Sequence, residues 1–181
     1  FSAWPNGWVD ESCFAHERQA VAVPAEGQLL LRTLVLSVDP YMRGRMSDAR
    51  SYAASIPLGD SPPTEAVARV LVSNDQSLAL GDKVVVYDCW RDHAVRKAAD
   101  CRKLDPSLAP VQTALGVLGM PGRTAYAGLK HIGKPKPGET LVVGAATGAV
   151  GGLVGQIARL QGARAVGIAG GAAKCRYATE T

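Results

Sequence analysis

The sequence predicts an α/β fold in two parts: a β-rich first part, then the opening of a doubly wound parallel sheet. Three observations predict it. Apolar runs of strand length, separated by turn residues, fill the first two thirds of the 181 residues. Near Pro110 the pattern changes to helical spacing. From Pro135 onward the order is strand, glycine loop, helix, strand, the crossover that a parallel pair requires. The expected domains are residues 1–118 and 119–181.

Residues 29–38 (LLLRTLVLSV) are apolar on both faces, as in a buried strand. Asp39-Pro40 ends that run, because proline supplies no ladder donor. Residues 68–72 form a second strand, and Leu80-Gly81-Asp82 turns the chain into a third at 83–87. Short strands with such turns suggest a small barrel or sandwich. Residues 112–118 read as a short helix halted by Gly119-Met120-Pro121-Gly122, and 124–132 as a second helix ending before Pro135-Lys136-Pro137-Gly138. Residues 141–143 form a short strand. In the helix that follows, Val150, Leu153, Val154, Ile157 and Ala158 share one apolar face. Gly162 stands where a C-cap glycine belongs, and 165–168 is the next strand.

Composition narrows the function classes. Hydrophobic residues at 47% and charged residues at 20% argue against disorder. The net charge of +4 is too small and too scattered to argue for nucleic acid. The longest near-apolar stretch, 141–155, is glycine-rich and too short to span a bilayer, so no membrane partner is expected. The first residues lack a signal-peptide pattern and an initiator Met, so a trimmed start and a cytoplasmic location are expected. Cys13, Cys89, Cys101 and Cys175 are dispersed without a Cys-x-x-Cys pair, which argues against a disulfide framework or a zinc knuckle. Cys89 with His93 offers two ligands and no site, so no metal is expected.

The loop Ala146-Thr147-Gly148-Ala149-Val150-Gly151 carries the chemistry. It is a dinucleotide fingerprint with alanine in place of the first glycine. Gly148 would let the backbone approach a pyrophosphate, and Gly151 would let the helix pack close to the strand. The pyrophosphate would lie against free N–H groups at the positive helix end. NAD sites place an acidic residue about 20 positions past the loop, on the ribose 2′-hydroxyl. No acidic residue stands between Glu139 and Glu180, whereas Lys174 and Arg176 follow the second strand. A carboxylate there would repel a 2′-phosphate and Lys174 would attract one, which favours NADP(H).

Five stretches together resemble a known family. They are Ser37-Val38-Asp39-Pro40-Tyr41-Met42-Arg43-Gly44-Arg45-Met46, Leu118-Gly119-Met120-Pro121-Gly122-Arg123-Thr124-Ala125-Tyr126, Pro135-Lys136-Pro137-Gly138-Glu139-Thr140, Gly144-Ala145-Ala146-Thr147-Gly148-Ala149-Val150-Gly151 and Gly170-Gly171-Ala172-Ala173-Lys174-Cys175-Arg176-Tyr177. The chain resembles the zinc-independent branch of the medium-chain dehydrogenase/reductases that holds leukotriene B4 dehydrogenase/prostaglandin reductase, alkenal double-bond reductase and curcumin reductase. The resemblance implies a GroES-like substrate domain followed by a Rossmann domain, and NADPH-dependent reduction of the C=C bond of α,β-unsaturated ketones or aldehydes. It implies that Tyr41 lines the substrate pocket and that Met120 and Thr124 lie near the nicotinamide. Gly148, Ala149, Val150 and Gly151 would hold the pyrophosphate, with Gly171 and Lys174 at the 2′-phosphate side. It assigns no catalytic residue within this chain. The family is often dimeric, so a homodimer is one expected partner state.

Structural readings stand beside these: Tyr41 as cover for a core edge, Thr124 as an N-cap, Arg43 and Arg45 in ion pairs, Lys174 and Arg176 as exposed helix charges, His16 and His131 as surface residues. The family has glycines where Thr64-Glu65-Ala66-Val67-Ala68 stands, so a different local turn is expected there. A dinucleotide fold of this type has about six parallel strands, and only two precede Thr181. The Rossmann domain is therefore expected to be truncated here, with weak or absent catalysis by this chain alone and an exposed strand edge prone to aggregation or dimerisation. Two alternatives remain: a quinone reductase of the same superfamily, and a non-catalytic nucleotide-binding or interaction module.

Overall fold

Leu29 and Leu31 are wholly buried, and the strand that carries them, β1 (Gln28–Leu36), is the hub of the first half of the molecule. The computed structural model describes residues 1–180, divided into two compact units, Phe1–Gln112 and a second beginning at Thr113. In the first unit β1 pairs antiparallel with β2 (Pro63–Ser73), β2 with β3 (Lys83–Cys89), and β3 with β5 (Cys101–Lys103). The other edge of β1 takes β4 (His93–Lys97), so the sheet order is β4-β1-β2-β3-β5. Register shifts between Leu30 and Leu31 and between Thr33 and Val35 mark irregularities in β1, which bend a strand and increase its twist. A short helix, α1 (Tyr41–Arg45), follows β1.

The strand expected at 68–72 begins earlier, at Pro63. Thr64 is wholly buried there, and its hydroxyl donates to the carbonyl of Ser37 at 2.6 Å. A polar residue satisfied in this way reads as a turn in sequence but serves as strand core. β4 and β5 were not foreseen, because short edge strands are defined by what they pair with. The core gathers Leu29, Leu31, Val70, Leu78, Val84 and Val86. Burying each such side chain contributes about 1.5–3 kcal/mol. A second cluster joins Phe1, Cys13, Met46 and Ile56, with Phe14 stacked on Trp90 at 5.3 Å.

Arg43 and Arg45 do not form the ion pairs expected of them among the described residues. Arg43 donates to the carbonyl of Gly7 at 2.9 Å, and Arg45 to that of Ala54 at 2.8 Å. Carbonyls are the nearer acceptors because the loops fold back over α1. The buried ion pair lies elsewhere. Asp88, 5% exposed, presents one oxygen to the Arg96 guanidinium, to Arg91 at 3.5 Å and to the N–H of Cys89 at 2.8 Å. Asp88→Ala should therefore cost about 1–3 kcal/mol, because it removes the charged acceptor shared by the partly exposed Arg96 and the N–H of Cys89. Urea unfolding followed by tryptophan fluorescence checks this, and a loss below about 0.5 kcal/mol, the range of an ordinary surface change, would refute it.

The helix expected at 112–118 is a shorter 3-10 turn, Val111–Leu115. The Gly119-Met120-Pro121-Gly122 block starts a helix and does not halt one: α2 runs Met120–Ala127 with Gly119 as N-cap. Proline fits the first turn because its missing N–H has no partner to lose there. Thr124 accordingly lies inside α2 and is not its cap. The chain continues through a π-helical turn, Gly128–Gly133, and Lys134 ends it at φ +44°. β6 (Thr140–Val143), α3 (Gly151–Leu160) and β7 (Arg164–Gly167) then form the expected parallel crossover, with Leu141 opposite Ala165 and Val143 opposite Gly167. Ala158 is wholly buried on the inner face of α3, and Gly162 past its end takes φ +81°. α4 (Ala172–Glu180) follows.

Candidate functional site

The loop between β6 and α3 is held from both sides. The N–H of Gly148 donates to the carbonyl of Ala145 at 2.8 Å, which closes the turn. Ala146 N–H donates to Ile168 at 3.1 Å, and Ile168 N–H to Val143 at 2.8 Å, which ties the loop to the end of β7. Ala145 takes φ +48°, a conformation that a side chain disfavours. Gly151 has no room for one: a Cβ would lie 2.4 Å from the carbonyl oxygen of Ala145. α3 can therefore start close to the strand only because residue 151 is glycine.

Ala146, which replaces the first fingerprint glycine, has a compensating partner that sequence reading missed. A Cβ on Gly167 would meet the Ala146 methyl at 2.7 Å, so the methyl occupies space that glycine leaves open on β7. The signal in sequence was a glycine in an otherwise apolar strand, which marks close approach.

The N–H groups of Ala149, Val150 and Gly151 have no backbone partner among the described residues, and they stand at the positive end of α3. Beside them lies an open cavity of about 720 Å³, lined by Thr147, Gly148 and Ala149 of the loop and by Arg159, Arg164 and Tyr177. Its lining includes no acidic side chain. Donors without partners and the lack of a carboxylate fit an anion at the loop; Arg159 and Arg164 line the other end of the cavity, at the last turn of α3 and the start of β7. Gly171 takes φ +84° just before α4, and Lys174 is exposed in the first turn of that helix. Thr124 donates to the carbonyl of Met120 at 2.8 Å, so these two residues sit together one helical turn apart.

Tyr41 lies in the first unit, half-buried at the start of α1. Burial holds its phenol above the ordinary value, reinforced by the neighbouring Tyr87 phenol and Asp39, while Arg45 acts in the opposite direction. Tyr87 and Arg45 escaped the sequence reading as companions of Tyr41. They stand 42 residues apart, and only the pairing of strands brings β3 to α1. His16 and His131 are exposed. No group of three or more His, Cys, Asp or Glu side chains able to hold a metal occurs among the described residues. None of their helices is long and apolar enough to cross a membrane.

Residues 1–104 match the family model described as the N-terminal domain of oxidoreductase. The NADPH-dependent curcumin reductase of Escherichia coli is 52% identical over 176 residues, which is 97% of this chain and 51% of that protein. Prostaglandin reductase 1 of Rattus norvegicus is 45% identical over 175 residues, 95% of this chain and again 51% of that protein. The crystal structure of CurA from Vibrio vulnificus in complex with NADPH superposes with a TM-score of 0.89 at 46% identity, covering 99% of this chain and 53% of that one. The chain thus spans about half the length of the relatives it matches.

Proposed function

The chain belongs to the oxidoreductase N-terminal-domain family, within the medium-chain dehydrogenase/reductases, and from that premise we propose that the complete protein is an NADPH-dependent reductase of α,β-unsaturated ketones or aldehydes. One observation carries this reading: a fingerprint loop with free N–H groups leads into a segment without carboxylates that ends at Lys174. In this reading residues 1–118 belong to the GroES-like substrate domain and 119–181 open the Rossmann domain. The relatives' names support it, because one is called NADPH-dependent and another was solved with NADPH.

NADPH, when bound, supplies the hydride that reaches the β-carbon of the enone. The residues of this chain bind and orient. Ala149, Val150 and Gly151 hold the diphosphate through backbone N–H groups, Gly148 lets the backbone come close to it, and Gly171 and Lys174 take the 2′-phosphate. Met120 and Thr124 line the nicotinamide side, and Tyr41 contacts the substrate. The oxygen of the resulting enolate is stabilised by hydrogen bonding, and the α-carbon is then protonated. A cytoplasmic protein able to form a homodimer fits the same reading.

The test follows NADPH consumption by the complete protein with an enone and, separately, with a quinone. The expected result is a saturated ketone formed in equal amount to the NADPH lost. Faster quinone turnover would favour the quinone reductase alternative. Absence of turnover with either acceptor would overturn the enzyme reading and leave a nucleotide-binding module.

A further inference from the structure

Net charge is divided unequally between the two units. Residues 113–181 hold 8 of the 20 Lys and Arg but only 2 of the 16 Asp and Glu, so the second unit carries +6 and the first −2. Four of those eight cations gather near the C-terminal end of α3. Gly138 N–H donates to the carbonyl of Gly162 at 2.9 Å, and Pro137 lies against Gly162, which brings Lys134 and Lys136 to that end. Arg159 is in the last turn of α3, and Arg164 opens β7. All four side chains are exposed, and none has a hydrogen-bond or ion-pair partner among the described residues. The Glu139 carboxylate nearby accepts from the backbone N–H of Lys136 at 2.8 Å.

These four cannot touch a diphosphate at the fingerprint loop, because the ten residues of α3 separate the two ends by about 15 Å. Charge still acts over that distance. The Debye length is about 30 Å at about 0.01 M salt and about 8 Å at about 0.15 M, so the attraction reaches the loop in the first and is screened in the second. Arg159 and Arg164 also line the open cavity that extends to the loop, whose lining includes no acidic side chain. A cleft lined by one sign of charge concentrates the field within it. We propose, resting on the reductase reading above, that Lys134, Lys136, Arg159 and Arg164 steer the phosphate-bearing cofactor toward the loop from a distance. They raise its capture rate without holding it once bound. NADPH, with a diphosphate and a 2′-phosphate, carries about four negative charges and is drawn more strongly than NADH, which carries about two.

Stopped-flow fluorescence of NADPH binding tests this on the complete protein and on its Lys134→Gln/Lys136→Gln/Arg159→Gln/Arg164→Gln variant. Glutamine removes each charge and keeps helix propensity at position 159. In wild type the association rate constant should fall about tenfold between about 0.01 and 0.15 M salt for NADPH, and about threefold for NADH. At the lower salt the variant should capture NADPH about tenfold more slowly, with its dissociation rate constant within about twofold of wild type. At the higher salt the two association rates should agree within about twofold. The value of kcat at saturating NADPH should also agree, since none of the four meets a reacting atom. A variant as fast as wild type at low salt, or one whose loss lies in dissociation, would overturn the proposal. Equal salt slopes for NADPH and NADH in the wild type would overturn it too, and that readout involves no variant that could misfold. A wild type without any NADPH binding phase would instead overturn the reductase reading, and the steering with it.

Discussion

Lys174→Glu should abolish the preference of the complete protein for NADPH over NADH. Lys174 is exposed in the first turn of α4, just past Gly171 at φ +84°. No acidic residue lies between Glu139 and Glu180 to offset it. A charge-assisted contact to a phosphate contributes about 1.5–3 kcal/mol, and the new carboxylate adds repulsion. The ratio of kcat/KM for the two cofactors should therefore fall about 100-fold, at 1.4 kcal/mol per tenfold. Stability should not change, because α4 holds no buried residue among the described ones. An unchanged ratio in a normally folded variant would withdraw Lys174 and direct attention to Arg176.

Gly122→Ala should be among the most damaging single-methyl additions to the second unit. A Cβ at position 122 would lie 1.8 Å from the carbonyl oxygen of Val117 and 2.6 Å from its carbon, so backbone must move. The expected loss is about 3 kcal/mol or more, in the class of severe overpacking. Gly128→Ala is the matched control. Gly128 has helical φ −59° and ψ −44° with nothing within 4 Å of a Cβ, and alanine there should stabilise by about 0.5–1 kcal/mol. Hydrogen exchange across α2 separates the two. Equal protection in both variants would mean that the turn over Val117 relaxes at little cost.

Much of the local structure around the loop is legible in the sequence, for a local reason. The fingerprint loop, the helix stripe after it and the C-cap at Gly162 are all written within a few residues of one another, and helix and strand periods expose them directly. The Gly119-Met120-Pro121-Gly122 block was misread because glycine and proline punctuate loops as readily as they start a helix. The choice rests on whether a first turn can fold back onto residues 114–117. Glycine at 119 and 122 permits that contact, and sequence pattern does not display it.

Local chemistry, then, belongs to the sequence by itself: the β-rich first unit, the parallel crossover, the fingerprint loop, and the absence of a carboxylate that disfavours NAD(H). These follow from neighbouring residues sharing one period or one turn. Tertiary structure alone decided what distant residues do together. It set Ala146 against Gly167, gathered Arg91 and Arg96 onto Asp88, and brought Arg45 and Tyr87 around Tyr41. Those contacts depend on which strands pair and in what register, and a one-residue slip would turn each side chain to the opposite face.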